Sequence, residues 1–123
     1  MRNSRAAGAI AVLLLLLAGC GAGTEPPAVS GGDPQKGRAA ISNYGCGTCH
    51  SIDGIAAAHG LVGPPLTGIG DRMYIAGVLP NTPDNIVRWI QNPKAINEKT
   101  AMPVLGVSSR DATDIAAFLY STR

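Results

Sequence analysis

Aromatic and charged residues are scarce in this sequence. Only five of its 123 residues are aromatic, and charged residues make up 15% of the chain, with a formal net charge of +2. The sequence contains no concentrated basic patch, so nothing in it predicts nucleic-acid binding. We also find no convincing strand pattern and no internal repeat. The one unbroken leucine run, residues 13–17, lies in an apolar stretch shorter than the about 20 residues of a confident membrane span.

The N-terminus has the features of an export signal. Arg2 and Arg5 precede the apolar stretch, and residues 17–20 have the sequence Leu-Ala-Gly-Cys. This end resembles the lipobox of bacterial lipoproteins, whose cysteine is acylated and becomes the mature N-terminus. We therefore predict a signal peptide at residues 1–19 and lipidation at Cys20, with an ordinary signal peptide or an uncleaved anchor as alternatives. Cleavage removes two of the ten basic residues and none of the eight acidic ones, so the mature chain is near neutral.

Cysteines are also few, and two of the three form a motif. Cys46, Cys49 and His50 have the Cys-x-x-Cys-His spacing. Two thiols at this spacing can each add to one vinyl group of a porphyrin, and the next imidazole can bind its iron, so the motif predicts a c-type haem. A disulfide or thioredoxin-like pair is the main alternative, but that pair requires a βαβ setting, which the sequence does not show. A zinc site would need four ligands, and only His59 remains to complete it.

Three segments have helical starts and helical apolar periodicity. The first is predicted to begin at Asp33, with small or apolar residues at positions 37, 40, 41 and 44. The second is predicted to begin at Thr82 and to end before Pro93, and the third to begin at Ser108. A further short helix is predicted over residues 71–79, which would place Met73 in the core. Residues 51–70 and 93–107 are predicted to be loops.

These elements predict an all-α fold of three to five helices wrapped around one covalently bound haem. We expect a lipidated N-terminus and flexible linker at residues 20–32, followed by a single domain at residues 33–123. A domain of this size with few aromatics, in a chain with 16 glycines, would bury little apolar surface by itself. We therefore expect the porphyrin to form the centre of the core.

The iron of such a haem needs a second axial ligand opposite His50. His59 is close in sequence, and a lone loop histidine is more often solvated. Met73 is expected to be a core residue. Met102 lies in a loop stiffened by Pro103, far enough along the chain to reach the other face of a porphyrin. Its soft thioether suits the role, and ligation by His and Met raises the reduction potential of haem iron.

The chain resembles a class I cytochrome c over residues 33–123. It is similar to small bacterial cytochromes tethered as lipoproteins, and to the cytochrome c domain fused to subunit II of haem-copper oxidases. The resemblance implies a small cytochrome c fold in which Gly37 of the first helix meets Phe118 of the last. It rests on the following features in chain order: Gly37, the Cys46–His50 motif, residues 63–66 (Gly-Pro-Pro-Leu), residues 88–90 (Arg-Trp-Ile) with Pro93, Met102-Pro103, and residues 117–119 (Ala-Phe-Leu).

The same resemblance implies roles for individual residues. Met102 would be the second axial ligand, so the metal ligands would be His50 and Met102. The carbonyl of Pro64 would accept the other imidazole N–H of His50. Two kinds of further haem contact are implied, packing by Leu66 and propionate binding by Arg72 and Trp89.

With both axial positions filled, the chain is expected to be an electron-transfer protein and not an enzyme. We expect a monomer that is exported and lipid-anchored, at the outer face of the bacterial cell membrane or in the periplasm, and that works in a respiratory chain. Its expected redox partners are a quinol-oxidising complex, a terminal oxidase or another cytochrome. The alternatives are a fixed cytochrome subunit of an oxidase complex, or a peroxidase-like haem enzyme if Met102 is not a firm ligand.

Overall fold

The computed structural model of the protein describes residues 28–122. The predicted signal peptide, the predicted lipidation site at Cys20 and the first part of the predicted linker lie outside the described residues. Within residues 28–122 the chain forms four α-helices: α1 (Pro34–Asn43), α2 (Pro83–Gln91), α3 (Pro93–Ile96) and α4 (Ser109–Ser121). Two short strands, β1 (Tyr74–Ile75) and β2 (Leu79–Pro80), form an antiparallel pair. The predicted all-α fold class is thus confirmed, with this small sheet as an addition.

Three helices begin at the predicted capping residues. The side chains of Asp33, Thr82 and Ser108 each accept hydrogen bonds from backbone N–H groups in the first turn of α1, α2 and α4. Pro34 and Pro83 occupy early positions of α1 and α2, where a missing N–H costs no helical hydrogen bond. The capping residues therefore determine where these helices begin.

The predicted helix over residues 71–79 is wrong. The chain instead makes a 3₁₀ turn at Ile69–Asp71 and then the β1–β2 hairpin, and Met73 is 80% exposed and not a core residue. Ala76 and Gly77 both have positive φ angles, and the N–H of Val78 donates to the carbonyl of Ile75. Two consecutive left-handed residues make a tight hairpin turn and are incompatible with a continuing α-helix.

The predicted loop over residues 93–107 also contains one short helix. Asn92 caps α3 by accepting a hydrogen bond from the N–H of Ala95, and Pro93 begins the helix. Proline cannot extend α2, because it lacks the N–H and clashes with the preceding turn, but it fits the first position of a new helix. Pro93 therefore ends one helix and starts the next.

The core lies where α4 crosses α1 and packs on α2. Gly37 of α1 is buried, and a Cβ atom added there would overlap the backbone of Asp114 and Ile115 in α4. Gly37 therefore meets α4 at Asp114 and Ile115, one turn before Phe118, whereas the resemblance implied Phe118 itself. The large buried apolar residues that these three helices contribute to the core include Ile41, Ile86, Trp89, Ile115, Phe118 and Tyr120.

The residues just before α1 also pack against the helical core. Val29 packs against the core, and a Cβ atom on Gly32 would lie 2.6 Å from that of Ala117 in α4. No helix within the described part of the chain is long and apolar enough to cross a membrane.

Candidate functional site

The Cys-x-x-Cys-His motif forms a tight turn directly after α1. Gly45 has a φ of 71°, which turns the chain into a 3₁₀ segment at Cys46–Thr48. The backbone N–H groups of Cys49 and His50 both donate to the carbonyl of Cys46, at 3.2 and 3.0 Å. Cys46 and Cys49 are free thiols, and both are partly exposed. The turn thus fixes two thiols and one imidazole relative to one another.

Three glycines let the following loop fold back onto this turn. A Cβ atom on Gly47 would lie 2.7 Å from Ala58, and one on Gly60 would overlap the backbone of Cys49. The N–H of Gly63 donates to the carbonyl of Cys49 at 2.8 Å. A Cβ atom on Gly63 would overlap the imidazole of His50. Glycine is therefore required at these positions by close approach and not by backbone angles.

The imidazole of His50 is held by the backbone of the two consecutive prolines, Pro64 and Pro65. Nδ1 of His50 lies 2.7 Å from the carbonyl oxygen of Pro64. Because a carbonyl can only accept, Nδ1 carries the proton, and Nε2 is left with a lone pair that can bind a metal. The guanidinium of Arg72 donates to the carbonyl of Pro65, the next residue, at 2.6 Å.

The other predicted haem contacts gather at the edge of the core. Trp89 is buried, and Leu66 and Met102 are half-buried and pack against the same core cluster. The N–H of Met102 donates to the hydroxyl of Thr100 at 3.2 Å. The ammonium of Lys94 in turn donates to the carbonyl of Thr100. These hydrogen bonds hold the chain at Thr100, two residues before Met102.

The two other candidate axial ligands have different surroundings. His59 is exposed and forms an isolated backbone bridge with Ser51. Met73 is exposed beside the hairpin. Of the three candidates, only Met102 packs against the core, as an apolar haem environment requires.

The surroundings of Cys46 do not favour thiol chemistry. Burial raises the pKa of the Cys46 thiol above its usual value, and the neighbouring Cys49 adds to the increase. Catalytic cysteines of disulfide oxidoreductases have lowered pKa values, because the thiolate is the nucleophile. Within residues 28–122 the only paired strands are the two-residue hairpin strands, and no βαβ unit is formed. The site therefore lacks two features of a thioredoxin-like pair.

The residues present fit a covalently bound haem. The donor set comprises two free thiols, an imidazole whose Nδ1 is already engaged, and a half-buried thioether. Several large apolar side chains are also exposed. They are Leu61, Val62, Met73, Tyr74, Val78, Val104 and Leu105.

Sequence reasoning missed two residues near this site. Nδ2 of Asn81 donates to the carbonyls of Ile69 and Arg72, both at 2.7 Å. The hydroxyl of Tyr120 donates to Oδ1 of Asn81 at 2.6 Å. In the sequence Asn81 only precedes the predicted helix start at Thr82. Nothing marks it further, because asparagine is common in turns and its side-chain partners are far apart in the chain.

Comparison with known proteins supports the same assignment. Residues 34–123 match the family model described as "Cytochrome c". The chain is 31% identical over 90 residues to "Cytochrome c oxidase subunit 2" of Alkalihalophilus pseudofirmus, which covers 72% of this chain and 25% of that protein. It is 30% identical over 80 residues to the protein of the same name from Bacillus sp. (strain PS3), which covers 63% of this chain and 22% of that protein.

A third relative is of similar size. The chain is 34% identical over 85 residues to "Cytochrome c2 iso-2" of Rhodospirillum centenum, covering 55% of this chain and 65% of that protein. The chain thus spans about a quarter of the two oxidase subunits and about two thirds of the cytochrome c2. No solved structure shows a significant match.

The family match covers all four helices and the Cys46–His50 turn, and the donor set of that turn suits the cofactor that the family binds. A helical domain of this build, with a c-type haem attached through its thiols, carries electrons. The chain belongs to the cytochrome c family and is a class I cytochrome c.

Proposed function

We propose that the chain is a one-electron carrier that holds a single covalent haem c and is tethered to the outer face of a bacterial membrane. The observation that carries this proposal is the Cys46–His50 turn. There, two free thiols stand beside an imidazole whose Nδ1 is committed to Pro64. This arrangement leaves one histidine nitrogen available for a metal and two sulfurs available for covalent attachment.

Different residues of the chain would attach the haem and bind its iron. Cys46 and Cys49 would hold the haem through thioether bonds, and His50 and Met102 would be its axial ligands. When bound, the haem supplies an iron that gains or loses one electron. The bond from Nδ1 of His50 to Pro64 orients the imidazole and raises its basicity. With His50 and Met102 both holding the iron, a substrate would have no open position on it, and the protein would perform no bond chemistry of its own.

Three further residues would complete the haem environment. Leu66 would pack against the ring, since it is half-buried at the edge of the core. Arg72 and Trp89 would bind a propionate. One guanidinium nitrogen of Arg72 already donates to Pro65, but its other N–H groups could still donate to a carboxylate.

The membrane tether rests on the N-terminal sequence. We propose a signal peptide at residues 1–19, a lipidated Cys20 with a linker to residue 32, and a cytochrome domain at residues 33–123. The basic start, the short apolar stretch and the cysteine after Ala-Gly support export and acylation. A lipid anchor would keep the domain near partners in the same membrane and raise their effective concentration.

The partners are proposed from the relatives. A quinol-oxidising complex would supply electrons, and a terminal oxidase or another cytochrome would accept them within a respiratory chain. Two relatives named as cytochrome c oxidase subunit 2 support an oxidase as the acceptor, and a relative named as cytochrome c2 supports a carrier. We propose that the carrier is monomeric.

A fixed subunit of an oxidase complex is the second candidate. The similarity to two oxidase subunits favours it. Extraction of host membranes with mild detergent separates the two possibilities. A fixed subunit would co-purify with an oxidase in equal amounts, and a carrier would be recovered mostly alone.

The axial ligands provide the test of the electron-carrier function. In the oxidised protein, a weak absorption band at the red end of the visible spectrum reports the bond between iron and a thioether. We expect Met102→Ala to abolish this band and Met73→Ala, the matched control at an exposed methionine, to retain it. Survival of the band in Met102→Ala would contradict the assignment. Carbon monoxide binding by the reduced wild-type protein at neutral pH would instead favour a peroxidase-like haem enzyme.

A further inference from the structure

A series of hydrogen bonds connects α4 to residues 69–73, which follow the Pro64–Pro65 pair in the chain. The hydroxyl of Tyr120 in α4 donates to Oδ1 of Asn81 at 2.6 Å. Nδ2 of Asn81 donates to the carbonyls of Ile69 and Arg72, and its backbone N–H donates to the carbonyl of Met73 at 2.9 Å. Asn81 therefore uses its amide and its backbone to hold one short segment against α4.

The other end of this series reaches the turn that holds His50. The guanidinium of Arg72 donates to the carbonyl of Pro65, and the carbonyl of Pro64 accepts from Nδ1 of His50. Proline has no backbone N–H, so the two prolines can be held by hydrogen bonds only through their carbonyls. One of these carbonyls is tied to Arg72 and the other to the imidazole.

Given the proposed function, in which His50 is an axial ligand, we propose that Asn81 is a positioning residue for that ligand. Asn81 holds the backbone of Arg72 in place through a hydrogen bond to its carbonyl. The position of the Arg72 guanidinium against the carbonyl of Pro65 is therefore restricted as well. The carbonyl of Pro64 then keeps its direction toward the imidazole. Asn81 thus acts on His50 through three intermediate residues, Arg72, Pro65 and Pro64.

The proposal predicts a chemical effect as well as a structural one. A firm hydrogen bond from Nδ1 makes the imidazole of His50 more basic, and a more basic ligand stabilises the oxidised iron. Loosening the turn should therefore weaken the bond to Pro64 and raise the reduction potential. It should also speed exchange of the Nδ1 proton of His50 with solvent, because that proton exchanges when the bond opens.

The test compares three variants of the haem-containing protein. Asn81→Ala removes the amide without changing any charge, so a shift in potential cannot come from a lost charge. Tyr120→Phe removes one hydroxyl from the same series and is the milder variant. Tyr44→Phe is the matched control, because its hydroxyl makes one comparable bond, 2.8 Å long, to Asp111 of α4. The measurements are the reduction potential and the exchange rate of the His50 Nδ1 proton, followed by NMR.

Asn81→Ala removes three side-chain hydrogen bonds, and it affects His50 only by weakening the bond from Nδ1 to Pro64. We expect the Nδ1 exchange rate to rise about three- to tenfold, as if that bond weakened by the free energy of about one hydrogen bond, and the reduction potential to rise. Tyr120→Phe should change both in the same direction by less, and Tyr44→Phe should change neither, even where its unfolding temperature falls. Wild-type values in a folded Asn81→Ala protein would overturn the proposal. If that variant does not fold, wild-type values in Tyr120→Phe would overturn it.

Equal changes in Tyr44→Phe would also overturn the proposal, since they would reflect general loosening of the domain. A wild-type protein with no attached haem would overturn the proposed function, and this inference with it. A wild-type protein that contains haem, with unchanged exchange in the variants, overturns this inference alone.

Discussion

Gly37 of α1 lies directly against the backbone carbonyl of Asp114 in α4, with no room between them for a Cβ atom. One neighbouring hydrogen bond joins Asp114 to the start of α1, and another lies within α4. The buried carboxylate of Asp114 accepts a hydrogen bond from the backbone N–H of Asp33 at 2.7 Å and another from Arg110 at 3.3 Å. The crossing of the first and last helices therefore depends on the absence of a side chain at one position.

Replacement of Gly37 by alanine should destabilise the protein. In an exposed helix the same change stabilises by about 1 kcal/mol, because alanine is the better helix former. Here the added methyl group must push α1 away from α4, and we expect a net loss of about 1–3 kcal/mol in the free energy of unfolding. Denaturant unfolding measures it. Arg38→Ala, on the exposed face of α1, should stay within about 0.5 kcal/mol of wild type. An increase in stability for Gly37→Ala would contradict the helix crossing.

Gly63→Ala should disturb His50 specifically. Its Cβ atom would overlap the imidazole, so the ring must leave its position against Pro64. We expect an altered visible spectrum and a loss of about 1–3 kcal/mol in stability. Gly54→Ala is the control, because Gly54 has a positive φ and open space around its Cα. That variant should lose about 1–2 kcal/mol through backbone strain, with the spectrum unchanged. Identical spectra for wild type and Gly63→Ala would contradict the close packing against His50.

Tyr120 should make stability depend on alkaline pH. Burial raises the pKa of its hydroxyl to about 12, from an ordinary value of about 10. Between these two values the unfolded chain ionises while the folded protein does not, so the stability that Tyr120 contributes is present below about pH 10 and is lost as the pH rises toward 12. The difference in unfolding free energy between wild type and Tyr120→Phe should shrink across this range. A constant difference would show that the hydroxyl is not protected in the folded protein.

Electron transfer to a membrane partner should depend only weakly on salt. After cleavage before Cys20, the mature chain would carry equal numbers of basic and acidic residues. Docking steered by a large charge excess slows steeply as ions screen it, whereas a tethered neutral carrier gains little from such steering. The rate of oxidation by host membranes can be followed as ionic strength increases. A steep fall between low and moderate ionic strength would contradict docking through a largely uncharged surface.

Local capping chemistry made part of the fold predictable from sequence. Asp33, Thr82 and Ser108 each accept N–H groups a few residues ahead, so the starts of three helices could be read from neighbouring residues. The β1–β2 hairpin could not, because it depends on a left-handed conformation at Ala76, a residue type that rarely adopts it. The predicted helix there failed for that reason.

The candidate site was also only partly predictable from the sequence. The Cys46–His50 motif is contiguous, and its spacing alone indicates the chemistry. Asn81 contacts segments about ten residues before it and a helix nearly forty residues after it, so no local pattern marks its role. The haem-binding roles given to Arg72 and Trp89 came from resemblance, and that of Met102 came from its place in the chain as well. All three remain predictions.

One measurement tests the central claim most directly: a potentiometric titration of the purified wild-type protein, made in a host that attaches c-type haem and followed by visible absorption. We predict a red protein with a single reversible transition, whose ratio of oxidised to reduced form changes tenfold per about 59 mV, as one electron requires. A colourless, folded protein would contradict the account. So would a visible transition of about 30 mV per tenfold change, which requires two electrons instead of one.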